Sequence, residues 1–169
     1  EALFLAGQRA IPPLISCLKT ECNLTQAVFL LGKLRASEAV PFLIDELFRD
    51  RVPLDVTLDA LREAYPGQRL LCVFQPHTHD RTRTLYASFL PAFASADVVI
   101  IPNIYDARPK LGEGKVSVPA LVQDIAHGSG VEAHDGISLE ATIDMLRRML
   151  NAGDVVVTMG AGDVWKIAD

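Results

Sequence analysis

The sequence has no long apolar run, no basic excess and only one tryptophan. No uninterrupted hydrophobic stretch approaches the roughly 20 residues that a helix needs to cross a bilayer. The first residues, EALFLAGQRAIPPL, lack the basic start of a secretion signal. Sixteen Lys and Arg stand against 21 Asp and Glu, a net charge of −5. Without a long basic run, that balance excludes a general nucleic-acid surface. Cysteine is scarce and odd in number: Cys17, Cys22 and Cys72, each in apolar surroundings. Buried free thiols of a cytoplasmic protein are the expectation. A Cys17/Cys22 metal pair would need two further ligands, and the neighbouring sequence offers none, so no metal site is expected. The phosphate cradle G-x-x-x-x-G-K-[ST] occurs nowhere in the 169 residues, so no cofactor is expected in this chain.

What is present falls into two patterns. Half of the residues are hydrophobic, enough for one domain and a small appendage. The first 50 or so repeat themselves. Ala10-Ile11-Pro12-Pro13-Leu14-Ile15 returns as Ala39-Val40-Pro41-Phe42-Leu43-Ile44, and Ala2, Phe4, Leu5 and Gly7 return as Ala27, Phe29, Leu30 and Gly32. Apolar residues keep helical intervals in each copy (Ile11, Leu14, Ile15, Leu18; then Val40, Leu43, Ile44, Leu47). Each proline falls near a helix start, where its missing N–H costs little. These units resemble HEAT-type repeats. Repeats of that kind imply a protein-binding face or a packing appendage, and a short array implies self-association through exposed helix faces.

From about residue 54 strands and helices alternate. Helices are expected at 54–65, 82–95, 118–126 and 138–150, with Ser138 as a cap. Strands are expected at 69–74, 97–102, 130–133 and 154–159, followed by a last helical stub after Gly160-Ala161-Gly162. Short apolar strands separated by helices describe a parallel sheet covered on both faces. The fold class is therefore α/β, a Rossmann-like parallel sheet with flanking helices over residues 54–169, preceded by an all-α HEAT-like segment over residues 1–53.

The chemistry concentrates where the strand LLCVFQ gives way to PHTHDRTRT. Ligands bind at the carboxyl ends of strands in such sheets. Arg81 offers a planar fork for a carboxylate or phosphate, His77 a hydrogen bond near neutral pH, and the helix start a partial positive field. A small anionic or amino-acid ligand is the expected partner. Gly160 would let backbone approach a ligand closely. Tyr105 reads either as a substrate-edge residue or as a ring covering the sheet end, and Trp165 as a packing anchor. His127 and His134 read as surface loop residues. His77-x-His79 beside Asp80 lacks a third metal ligand, and Asp80 with Arg83 reads as a solvated pair.

The segments PGQRLLCVFQPHTHDRTRTLY, NIYDAR and GDVVVTMGAGDVWKIAD resemble the C-terminal domain of the UDP-N-acetylmuramate–L-alanine ligases, of the Mur ligase family. The resemblance implies a domain that contacts the incoming amino acid through His77 and Arg81. It implies a whole enzyme that phosphorylates a sugar carboxylate with ATP and magnesium before the amine attacks. Three departures stand beside it. Thr78 occupies a place where relatives often carry Arg. Residues 48–53 replace a Tyr-Ala-His-His-Pro segment. No counterpart of the nucleotide or UDP-sugar domain is seen. The expectation is a domain without catalytic residues that does not ligate alone. The alternative is an interaction or scaffold module, and the join near residues 50–54 reads either as a natural gene fusion or as an engineered chimera.

Overall fold

A computed structural model of the chain describes residues 7–20, 24–36, 39, 53–106 and 114–167. The second repeat copy (residues 40–47), the segment 48–52, Ala2, Phe4, Leu5 and Cys22 lie outside the described residues. The chain divides into two compact units, Glu1–Gln68 and Arg69–Asp169.

In the first unit, a 3-10 turn at Gly7–Ala10 leads into α1 (Ile11–Thr20), followed by α2 (Leu24–Lys33) and, later in the chain, α3 (Leu54–Ala64). Pro12 and Pro13 sit in the first turn of α1 and are exposed, where no intrahelical N–H bond is lost. The apolar interval expected for α1 is its buried face: Ile11, Leu14 and Leu18 join Ala27, Val28, Leu31 and Ala60 in one core. Gly32 allows α2 and α3 to touch, since a Cβ there would lie 2.6 Å from the Cα of Ala60. Lys33 and Glu63 pair across the same two helices. The helix beginning at Leu54, where the sequence pattern changes, thus packs with the helices before it. Phe29, one of the repeated positions, points outward and is exposed.

The second unit is a four-stranded sheet in the order β3-β2-β1-β4, every neighbouring pair parallel. The strands are β1 (Leu70–Gln75), β2 (Val98–Ile101), β3 (Glu132–Asp135) and β4 (Val155–Gly160). All six residues of β1 and all four of β2 are buried, as central strands covered on both faces require. Alternation sorts the side chains. Leu71, Val73, Val98 and Ile100 face Leu146 of α6 (Leu139–Met149) and Val164 of the terminal 3-10 turn (Val164–Ile167). Phe74 faces the other way and meets Phe89 and Phe93, ring centroids 5.2 and 5.4 Å apart. Each fully buried side chain of this size contributes roughly 1.5–3 kcal/mol. Cys72 packs with its Sγ 3.9 Å from Met159 Sδ, and burial pushes its thiol pKa up.

The helices start where small polar residues cap them. Ser117 accepts from the Ala120 N–H at the head of α5 (Val118–Ser129), and Gly130 closes that helix in the left-handed conformation at φ 69°. Ser138 accepts from Ala141 N–H at the head of α6. Between β3 and Ser138, Ile137 sits at φ 68° and is 75% exposed. The Ser138 N–H bonds back to Gly136 O at 2.7 Å, a tight γ-turn about a β-branched residue.

Several expectations are corrected. α4 (His79–Ala92) begins three residues before Thr82, because Thr78 caps it. His127 lies on α5 and its Nδ1 meets Gln123 O at 2.8 Å, while His134 is a half-buried strand residue 2.7 Å from Glu132. Trp165 is 49% exposed with Lys166 Nζ 5.6 Å from its ring centroid, and the adjacent Val164 is the anchor instead. Cys17, half-buried, is disulfide-bonded, so the expectation of three free thiols holds only for Cys72 among the described residues. No helix is long and apolar enough to cross a membrane among the described residues.

Candidate functional site

The carboxyl ends of the four strands meet at one rim, and β1, at the centre of it, carries the turn Gln75-Pro76-His77-Thr78. The turn does not leave the sheet at once. Tyr105 N–H donates to Pro76 O at 2.8 Å and Thr78 N–H donates to Tyr105 O at 2.7 Å. His77 and Tyr105 thereby form a parallel bridge beyond the ends of β1 and β2, their rings 5.7 Å apart. Thr82, buried in the first turn and a half of α4, ties the turn down from below: its hydroxyl donates toward His77 O (3.0 Å) and Thr78 O (2.8 Å).

The second motif arrives from the other side of β1. Gly160 pairs with Gln75 in the β1–β4 register, and Ala161 N–H donates to Gln75 O at 2.9 Å. Gly160 has φ 112°, and a Cβ on it would stand 2.1 Å from that same carbonyl oxygen. Its lack of a side chain therefore serves the approach of two strands. Gly162 has φ 67°, and a Cβ on it would meet Tyr105 Cδ2 at 2.4 Å and Gln75 Oε1 at 3.0 Å.

Gln75 itself is 2% exposed. Its Nε2 donates to Asn103 Oδ1 at 2.5 Å. Its Oε1 has no partner, the one buried side-chain polar atom of which that holds among the described residues. Asn103 is an exposed residue in the loop after β2, between buried Pro102 and Ile104.

The first turn of α4 adds charge and anchors a neighbouring segment. Arg81 is exposed there, and its backbone N–H is 3.4 Å from Thr78 Oγ1. Asp80 and Arg83 pair at 3.2 Å, both well exposed, a contribution under about 1 kcal/mol. Arg83 also donates to Gly114 O. His79 Nδ1 accepts from Val116 N–H at 3.0 Å, which leaves the ring proton on Nε2. Farther along, Tyr86 donates to Asp124 at 2.7 Å. Its pKa is pushed up to about 12, first by burial and then by that carboxylate.

Of the four residues singled out in the sequence, the structure brings three together at one rim. His77, Tyr105 and Gly160 are linked through Gln75 and Gly162, and Arg81 lies in the adjoining helical turn. Both readings of Tyr105 are compatible with its position, half-buried over Gly162 and beside His77. Sequence reasoning missed Gln75, Asn103 and Gly162. A polar residue closing an otherwise apolar six-residue run was the signal for Gln75; Asn103, 28 residues away, gave none. No cluster of three or more metal-ligating side chains occurs among the described residues.

The profile of the Mur ligase, glutamate ligase domain, matches residues 54–162. A UDP-N-acetylmuramate–L-alanine ligase of Alkaliphilus metalliredigens is 40% identical over 139 residues, 82% of this chain and 28% of that protein. The enzyme of the same name from Clostridium acetobutylicum is 37% identical over 127 residues, 75% of this chain and 27% of that protein. The chain therefore spans between a quarter and a third of the curated relatives it matches. The 139 matched residues outnumber those from Leu54 to the C-terminus, so the likeness reaches back into the first segment. A solved UDP-N-acetylmuramate-alanine ligase from Thermotoga maritima aligns at TM-score 0.43 and 19% identity, over 68% of this chain and 22% of that one.

Proposed function

The chain belongs to the Mur ligase family through its glutamate ligase domain, and from that premise we propose that its strand-end rim holds the amino acid added by a peptidoglycan-precursor ligase of the cytoplasm. One observation carries the proposal: the two motifs behind the family likeness, FQPH and TMGAG, meet at Gln75 through the Ala161 N–H bond. In this reading Arg81 and the amide groups at the head of α4 take the substrate carboxylate. His77 and Tyr105 wall the rim, and the Gly160–Gly162 turn forms its far side. L-alanine, the amino acid in the relatives' names, is the first ligand to try. ATP and magnesium belong to the whole enzyme's reaction, and no residue of this chain is assigned to them. The chain alone binds and does not ligate.

Titration of the chain with L-alanine, followed at the His77 imidazole by NMR, tests the reading. A saturable shift at millimolar ligand supports it. An unmoved resonance there at millimolar L-alanine rejects it.

A second reading concerns the helical segment. Its HEAT-like internal spacing and the exposed Phe29, with Lys33 Nζ 5.6 Å from its ring centroid, favour a protein-binding or self-associating surface. Concentration-dependent sedimentation supports that reading; a strict monomer of both wild type and Phe29→Ala argues against self-association. An engineered join near residues 50–54 finds no support in the relatives, whose likeness runs across it.

A further inference from the structure

We propose that Gln75 is the residue that recognises the amine of the bound amino acid, its Oε1 accepting a hydrogen bond from the ligand's ammonium or amino group. The inference deepens the reading above and rests on it. A buried polar atom without a partner is uncommon, because burial removes it from water without replacing the lost hydrogen bond. Gln75 Oε1 is such an atom, and it sits at the strand-end rim. The carboxamide is held in place: Nε2 is engaged by Asn103 Oδ1, and the backbone carbonyl by Ala161 N–H. The remaining oxygen is thereby fixed toward Gly162 and the Tyr105 ring.

Neither neighbour satisfies it. The Tyr105 atoms at that point are the ring carbons Cδ2 and Cε2, and Gly162 presents no side chain. The Tyr105 ring is half-buried at the rim, and binding requires it to swing aside from the oxygen. A neutral acceptor suits an amine that must later act as a nucleophile, since a carboxylate in the same place would hold the amine as its ammonium form. The division of labour follows from charge. Arg81 and the helix start are cationic and take the carboxylate. Gln75 is the acceptor that distinguishes an amino acid from a simple carboxylic acid.

The experiment compares L-alanine with propionate, which keeps the carboxylate and methyl-bearing carbon but lacks the amine. Binding of both to the full chain is measured by NMR titration for wild type, Gln75→Met, Gln75→Glu and Asn103→Ala. Wild type is expected to favour L-alanine about tenfold or more, the scale of one charge-assisted hydrogen bond. Gln75→Met abolishes the preference while propionate affinity stays within about twofold. Gln75→Glu keeps the preference, because an acceptor remains. Asn103→Ala, which frees the carboxamide without touching the acceptor, reduces it. If Gln75→Met does not fold, the Gln75→Glu and Asn103→Ala pair decides, and an unchanged ratio in Asn103→Ala overturns the proposal. Equal wild-type binding of the two ligands, or a preference that survives Gln75→Met, also overturns it and leaves a trapped water as the partner of Oε1. If wild type binds neither ligand, the amino-acid reading of the rim fails, and this inference with it.

Discussion

The backbone N–H of Ala161 donates to the carbonyl oxygen of Gln75 at 2.9 Å. That bond joins the turn after the fourth strand to the turn after the first, and places two distant motifs on one rim. The glycine before Ala161 makes the approach feasible.

Gly160→Ala is therefore expected to be costly. A methyl group would stand 2.1 Å from Gln75 O at a φ of 112°, combining overlap with backbone strain, about 3 kcal/mol or more together. Gly153→Ala is the control. Its φ is also positive, at 94°, but nothing lies within 4 Å of the added group, so strain alone should cost about 1–2 kcal/mol. Urea unfolding of both variants measures the difference; equal losses would show that the Gln75 contact is unimportant.

Ile137 runs the other way. A β-branched residue at φ 68° with its side chain 75% exposed is strained with little burial in return. Ile137→Asn, which tolerates that conformation, should raise stability by about 1 kcal/mol, read as an upward shift of the thermal midpoint. A loss of stability would mean that the isoleucine makes contacts which outweigh its backbone.

Thr82→Val keeps the shape of a buried residue but deletes the hydroxyl that reaches His77 O and Thr78 O. Both oxygens would be left with poorer partners, at a cost of about 1–2 kcal/mol. The His77 backbone resonances should broaden or move, while those of β4 residues away from the rim stay put. Unchanged His77 resonances would show that the turn is held by other means.

Tyr86 supplies a pH test. Its folded-state pKa is raised from an ordinary 10.0 to about 12, so the native state favours the protonated phenol. The associated stability is fully present below pH 10 and is lost as pH rises from there to about 12. Ultraviolet difference titration of wild type against Tyr86→Phe should place this tyrosine's midpoint near 12. Asp124→Asn should lower it. A midpoint at the ordinary value would remove the link between α4 and α5 at this pair.

Much of the second unit was legible in the sequence. The buried run from Leu70 to Phe74 has one explanation in a parallel sheet, and Ser138 before an amphipathic stretch marks a helix start. The site was partly legible. His77 and Arg81 stand in one short polar turn, where charge after a strand is conspicuous. Thr78 hid the true start of α4, since the polar residues behind it read as a continuing turn. Trp165 misled because size suggests burial, whereas the smaller Val164 fills the space. The Gln75 carboxamide and its Asn103 partner were not readable: their pairing depends on β1 and β2 lying side by side, which no local pattern encodes. Cys17 shows the same limit, since an apolar context describes burial and says nothing of bonding.

In the proposed reading two turns, one after β1 and one after β4, form a single amino-acid site. The most direct measurement is a backbone-amide chemical-shift titration of the chain with L-alanine. The account predicts that His77, Arg81, Tyr105 and the Gly160–Gly162 amides shift together and fit one dissociation constant. Shifts confined to one of the turns, or two turns titrating with different constants, would contradict it.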